Sequence, residues 1–183
     1  SFSTRHQQEF LDALSDAVVK LSNKRFGALF AIERNISLEN YESTGVTIDA
    51  QLSVELVTTI FHPKTSLHDG GMVLSQERVE AAGCIFPVSQ KELSDRALGL
   101  RHRAGFGISE ETDAVAIVVS EETGAISILV DGKMLRDLSE ADFRKKLEDI
   151  FLSHGQSSEE MVREELDVEN GGSGSGGRDL VSD

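Results

Sequence analysis

TSLHDGGMVLSQERVEAAGCIFPVSQ (residues 65–90) and, after a short polar connection, LRHRAGFGISEETDAVAIVVSEETG (residues 100–124) carry the pattern that decides the fold. Met72-Val73-Leu74 and Val79 to Phe86 have the length and apolar content of two strands. The polar turn Ser75-Gln76-Glu77-Arg78 joins them, and Pro87 stops the second. Ala114 to Val119 is apolar without a break, and Ala125 to Val130 continues after the turn residues Glu122-Thr123-Gly124. Runs that are apolar at every position read as strands covered on both faces. Between these pairs Gln90 to Leu98 is a polar connection with room for a helical turn. Leu100 to Ile108 reads as a helix, weakened by Gly105 and Gly107.

Outward from this stretch the pattern repeats. Residues 6–24 form an amphipathic helix, with Phe10, Leu11, Leu14, Ala17, Val18 and Leu21 at helical spacing. Gly27-Ala28-Leu29-Phe30-Ala31-Ile32 is a further doubly covered strand, Glu33 to Tyr41 a polar loop, and Val46 to Ile48 a short edge strand. Ser53 to Phe61 reads as a helix that ends near His62-Pro63. Asp131-Gly132 marks a hairpin turn. Ser139-x-x-Asp142 opens a helix through Leu152 whose apolar side is Leu138, Phe143, Leu147, Ile150 and Phe151. The expectation is a single α/β domain over residues 1–156, with a central mixed β-sheet of about six or seven strands flanked by helices. Residues 157–183 hold eight acids against two arginines and the linker-like run Gly171 to Gly177, and read as a largely disordered tail with a loose helix over Met161 to Val168.

Composition narrows the function. A chain of 183 residues, 39% hydrophobic and 27% charged, suits one soluble domain with a proper core. A net charge of -14 argues against binding nucleic acid or an anionic membrane surface, both of which need a basic face. The single cysteine, Cys84, excludes an internal disulfide and a cysteine-built zinc site, fits a reducing compartment, and lies in an apolar run as a small buried side chain would. No stretch approaches a membrane span, and no signal peptide is visible. A chain that starts at Ser1 without methionine reads as a fragment lacking its native N-terminus.

Three polar clusters stand at the edges of the apolar runs: Leu67-His68-Asp69-Gly70-Gly71, Arg101-His102-Arg103 and Ser120-Glu121-Glu122. In so acidic a chain, two arginines around an imidazole imply an anion, and guanidinium forks match phosphate oxygens. If Leu100 opens a helix, the cluster lies in its first turn, where free N–H groups also favour an anion. His102, flanked by two cations, favours its neutral form and is either a hydrogen-bond donor to phosphate or a support for the loop. Asp69 before two glycines is either a turn residue or a metal-binding, hydroxyl-activating carboxylate. Glu121 and Glu122 form either an acidic surface turn or part of a metal site with Asp69. His68 is a packing residue or a ligand beside Asp69. Walker, Rossmann and nucleophile-elbow patterns are absent. Together the clusters point to metal-assisted phosphoryl or nucleotidyl chemistry.

In this order the motifs resemble the diadenylate cyclase (DAC domain) family, whose hallmarks are Asp-Gly-Ala and, roughly thirty residues later, Arg-His-Arg. Here they stand as Asp69-Gly70-Gly71 and Arg101-His102-Arg103. Leu67-His68, Leu98-Gly99, Gly107-Ile108-Ser109-Glu110, Thr112-Asp113-Ala114 and Val118 to Gly124 match as well, and the resemblance covers about residues 7–152. It implies condensation of two ATP into cyclic di-AMP with release of two pyrophosphates, using Mg²⁺ or Mn²⁺. It implies a catalytic centre of Asp69, Gly70, Arg101, His102 and Arg103. Metal contacts fall to Asp69, Glu122 and His68. Ile85, Phe86, Leu100, Ser120 and Gly71 fall around the nucleotide, Ile85 and Phe86 near the adenine. It further implies a transient face-to-face homodimer, because each domain holds one ATP. The closest match is to the membrane-linked branch, which implies an N-terminal membrane anchor before Ser1 and a place at the cytoplasmic face of the membrane. Two departures stand out: Gly71 replaces the motif's alanine, and Leu100 replaces a threonine common in that branch. They keep open a catalytically inactive nucleotide sensor of the same fold. A third reading is an interaction domain working through its acidic tail.

Overall fold

The computed structural model describes residues 2–93, 95–152 and 166. Among them a seven-stranded mixed sheet is flanked by five helices, in the order α1 (Phe2–Lys24), β1 (Ala28–Ile32), α2 (Glu39–Glu42), β2 (Val46–Gln51), α3 (Val54–Ile60), β3 (Gly71–Ser75), β4 (Arg78–Cys84), α4 (Leu100–Glu111), β5 (Val115–Val119), β6 (Ile126–Val130), β7 (Lys133–Leu138) and α5 (Glu140–Leu152). The spatial order is β2-β4-β3-β1-β5-β6-β7. Only β1 and β3 run parallel; every other neighbouring pair is antiparallel.

The unbroken apolar runs are buried on both faces, as their composition requires. In β1, Ala28, Phe30 and Ile32 join one core with side chains of α1, α3 and α5. Leu29 and Ala31 point the other way, into a second core with Ala104, Phe106 and Ile108 of α4. Strand β5 repeats this, with Ile117 on the first side and Ala116 and Val118 on the second. Small residues dominate the second face and let α4 lie close. Its glycines, unfavourable by propensity, are used for approach: a Cβ on Gly107 would stand 1.8 Å from the Pro87 carbonyl oxygen. Tertiary contact thus overrides a weak helix preference, and Ser89 N–H donating to the Arg103 carbonyl at 3.0 Å pins the post-β4 segment to the helix.

Several boundaries differ from expectation. Residues Glu39–Glu42 of the expected loop form a short helix. The edge strand β2 extends to Gln51, since pairing with β4 supplies hydrogen bonds that its polar composition does not announce. Leu138 belongs to β7, opposite Ile126, rather than to the final helix. Ser139 caps its helix as expected, its Oγ accepting from Asp142 N–H at 3.1 Å, and Ser53 does the same for α3, its Oγ accepting from Leu56 N–H at 3.1 Å. The described part of Gln90–Leu98 holds a single hydrogen-bonded turn, Leu98 N–H donating to the Asp95 carbonyl at 3.3 Å, and no helix. The loose helix expected over Met161 to Val168 lies outside the described residues except for Leu166, which is helical and packs against the first core.

Candidate active site

The parallel pair β1 and β3 and their antiparallel neighbours bring four strand ends to one side of the sheet. Ala28 at the start of β1 sits opposite Val119 at the end of β5, and Gly71 at the start of β3 opposite Cys84 at the end of β4. Asp69 lies just before β3 and Ser120 directly follows β5, while Arg101 and His102 reach the same place from the first turn of α4. They flank the N-terminal ends of the parallel strands, the reverse of the usual site in open parallel sheets. The antiparallel β4 and β5 contribute C-terminal ends, which explains how both kinds of end meet.

The result is a cleft of about 520 Å³. Strand order gives it two unlike sides. Toward β4 and β3 lie Ile85, Phe86 and Gly71; toward β1 and β5 lie Arg101, His102, Ser120 and Glu122. Asp69 and Gly70, just before β3, lie between them. Leu100 and Val88 also line it. Ile85 and Leu100 are each 71% exposed and Val88 is exposed as well, so the mouth of a charged cleft has an apolar rim.

Asp69 offers its carboxylate outward, with a side chain 84% exposed. His68 holds one of its oxygens: Nε2 lies 2.9 Å from Asp69 Oδ1, while Nδ1 donates to the Thr65 carbonyl at 2.6 Å. With Nδ1 turned to the Thr65 carbonyl, the Nε2 edge of the ring faces Asp69 and orients its carboxylate.

Arg101 crosses toward the same carboxylate. Its Nη2 is 3.9 Å from Asp69 Oδ1 and within 3.5 Å of the His68 carbonyl, and Nη1 donates to Glu121 Oε2 at 3.3 Å. Its Nε is buried and has no hydrogen-bond partner among the described residues. His102 is buried, 8% exposed, and its pKa is pushed below the ordinary 6.5, first by burial, then by the cations Arg136 and Arg101. The expected neutral imidazole therefore holds, but desolvation leads and Arg136 of β7, not Arg103, supplies the largest like charge. Arg103 turns away: its Nη1 donates to the Lys91 carbonyl at 3.3 Å, and the side chain is not in the cleft wall.

On the same side as Arg101 and His102, Ser120 Oγ accepts from the N–H groups of Glu122 and Thr123 at 3.3 Å each, shaping the turn that carries both glutamates. Ser22 at the end of α1 donates to the Gly124 carbonyl at 2.5 Å and ties this turn to the helix. Glu121 and Glu122 both line the cleft. A smaller cavity of about 240 Å³ shares His102, Ser120 and Glu122 with it and is also walled by Arg136 and Asp95.

For a divalent metal the donor set is informative. Among the described residues no three His, Cys, Asp or Glu side chains converge as a complete protein-built site. Asp69, Glu121 and Glu122 nevertheless line one cleft. Magnesium is commonly held by one or two carboxylates, with substrate phosphates and water completing its shell, and this donor set fits that use.

The sequence reading missed residues that act through backbone or volume. Gly27 leaves the space occupied by the Arg101 guanidinium, since a Cβ there would stand 2.7 Å from Nη1. Cys84 is buried as expected, yet contributes to the cleft wall, as do Val88 and Ala97. Nothing in their residue types announces this; only their position beside the strand ends does.

Comparison with known proteins identifies the family. The family described as DAC, DisA bacterial checkpoint controller nucleotide-binding, matches residues 15–134. The chain is 40% identical over 145 residues to the cyclic di-AMP synthase CdaA of Bacillus subtilis, covering 79% of this chain and 53% of that protein. It is 37% identical over 143 residues to a diadenylate cyclase of Listeria monocytogenes, covering 78% and 52%. It thus spans about half the length of these curated relatives. Among solved structures, a double mutant of DacA from Staphylococcus aureus superposes with a TM-score of 0.77 at 37% identity, over 82% of this chain and 99% of that one. A protein described as a hypothetical membrane spanning protein from Bacillus cereus gives 0.67 at 38% identity, over 70% and 63%. With the family matched over most of the folded region and the fold shared, the chain belongs to the DAC domain family.

Proposed function

We propose that this domain is a diadenylate cyclase that condenses two ATP into cyclic di-AMP and two pyrophosphates. The observation that carries the reading is one cleft, of a size that suits a nucleotide, in which an outward carboxylate, Asp69, stands between an apolar side and a cationic one. The relatives' names support the reaction class.

The base lies toward Ile85 and Phe86, and the triphosphate toward Arg101 and His102. Arg101 donates to phosphate oxygens in place of its contacts with Glu121 and Asp69. His102, neutral and buried, offers a single hydrogen bond. Arg103 holds the 88–91 loop through the Lys91 carbonyl. Asp69 and Glu122 would hold Mg²⁺ or Mn²⁺, which would supply charge neutralisation across the phosphates.

Chemistry needs a second domain, because each cleft takes one ATP. Two apolar-rimmed clefts facing each other bring each 3′-hydroxyl against the other nucleotide's α-phosphorus. The oxygen–phosphorus bond forms as the bond to the bridging oxygen of pyrophosphate breaks, and the hydroxyl proton passes to Asp69. The step repeats to close the ring. Positioning and electrostatics do most of this work, as in phosphoryl transfer generally. The description of the Bacillus cereus relative supports a native enzyme working at a membrane; among the described residues no helix is long and apolar enough to cross one.

The test is incubation with ATP and Mg²⁺ or Mn²⁺ at several protein concentrations, with products identified by mass spectrometry. Cyclic di-AMP should form at a rate rising faster than linearly with protein, and Asp69→Asn should abolish it while melting normally. Wild-type turnover by Asp69→Asn would remove Asp69 from the mechanism.

A further inference from the structure

Gly71 opens β3 opposite Cys84, the last residue of β4, and Phe86 lies two residues past the end of that strand. A Cβ on residue 71 would stand 2.3 Å from Phe86 Cε2, 2.6 Å from Cζ and 2.9 Å from Cδ2. The benzyl ring occupies the volume a methyl group would need. It cannot yield as a flexible chain end could. Phe86 is 4% exposed, and Tyr41 meets it edge to face with ring centroids 6.2 Å apart and planes at 88°. Tyr41 is itself held, its hydroxyl donating to Glu111 at 3.2 Å. Both Gly71 and Phe86 line the cleft on the side away from the cations.

We propose that Gly71 and Phe86 form a coupled pair that sets the shape of the base end of the cleft, and so which purine nucleotide fits it. This rests on the cleft being the ATP site. Without a side chain at residue 71, the ring seats against the β3 backbone, and the cleft keeps the depth so gained. With alanine there, the ring is driven away from β3, and held by Tyr41 on another edge it can only intrude on the base. Leucine at residue 86 has no atoms at the ring's outer positions, so it would restore the space when residue 71 is alanine. An apolar ring offers no hydrogen-bond partner to the base, so this pair discriminates by fit alone.

The experiment is a double-mutant cycle with Gly71→Ala, Phe86→Leu and both together. Calorimetry would measure binding of 3′-deoxy-ATP and 3′-deoxy-GTP with Mg²⁺, since neither can react without a 3′-hydroxyl. Gly71→Ala should weaken 3′-deoxy-ATP by about tenfold or more, the scale of an overpacked site. The double variant should return to within about threefold of wild type, a non-additivity expected only of touching residues. Phe86→Leu alone should change the ratio of the two affinities by about tenfold, as shape changes in apolar pockets do. A merely structural pair would alter melting temperature and leave that ratio unchanged, which would overturn the proposal. Independent effects in the cycle would overturn it as well while leaving the ATP site in place. A wild-type domain that binds neither nucleotide would overturn both this proposal and the ATP reading.

Discussion

The Arg101 guanidinium lies directly over Gly27, where a Cβ would stand 2.7 Å from Nη1 and 2.8 Å from Cζ. The cation that faces Asp69 is thus seated on a bare stretch of backbone just before β1. Gly27→Ala should push the guanidinium, a flexible chain end, off its seat and leave the fold nearly intact. We expect a stability change within about 1 kcal/mol and a loss of ATP affinity of about 1.5–3 kcal/mol, the range for hydrogen bonds to charged groups. Melting curves with ATP calorimetry check this; unchanged affinity would mean that Arg101 finds its phosphate from elsewhere.

Arg101 itself sits at a cost to the free protein. Its Nε is buried without a partner among the described residues, and its ion pair with the exposed Glu121 is worth at most about 1 kcal/mol. Arg101→Ala should therefore leave the melting temperature level or raise it while weakening ATP by about 1.5–3 kcal/mol. A large drop in melting temperature would show that the residue is structural first.

His102 makes stability depend on acid. Its pKa is lowered in the folded state from an unfolded value near 6.5, so the unfolded chain binds the extra proton first as pH falls. Its contribution is complete above pH 6.5 and is lost as pH falls from there toward the folded value, with a slope of at most about 1.4 kcal/mol per pH unit. Denaturant titrations from pH 7.5 downward should show a shallower acid decline in His102→Gln than in wild type. Parallel curves would clear His102 of this role.

Cys84 lines the cleft yet should be chemically quiet. Burial, then the nearby Glu42 carboxylate, pushes its thiol up to about 11. At pH 8 only about 0.1% is thiolate, the reactive form. Iodoacetamide should modify it far more slowly than the same cysteine in guanidinium-unfolded protein, as intact-mass analysis would show. Equal rates would mean that the cleft wall opens.

How much was legible in advance depends on whether a residue acts through its type or its place. Unbroken apolar runs at Ala28–Ile32 and Val115–Val119 announce doubly covered strands, because they are too short for a buried helix and must be hidden from water on both faces. Ser139 announces a helix start, because a hydroxyl before a free N–H is a local matter. Asp69, Arg101, His102 and Glu122 announce anion and metal chemistry by their order along the chain, and the fold places all four on one cleft. The extension of β2 to Gln51 and the assignment of Leu138 to β7 rest on pairing with strands distant in sequence, which local pattern does not encode. Arg103 looks like Arg101 in the sequence, but two positions along a helix point to different sides, and only the packed helix turns one guanidinium toward Asp69 and the other toward Lys91. The charge acting on His102 comes from Arg136, brought across from β7. Gly27 and Gly71 matter for atoms they lack, a property that acquires meaning only once Arg101 and Phe86 occupy the space. Residue pattern alone announced the apolar strands, the four longer helices and the chemical kind of site. Tertiary packing decided which of two like residues faces the cleft, because direction and excluded volume exist only after distant segments meet.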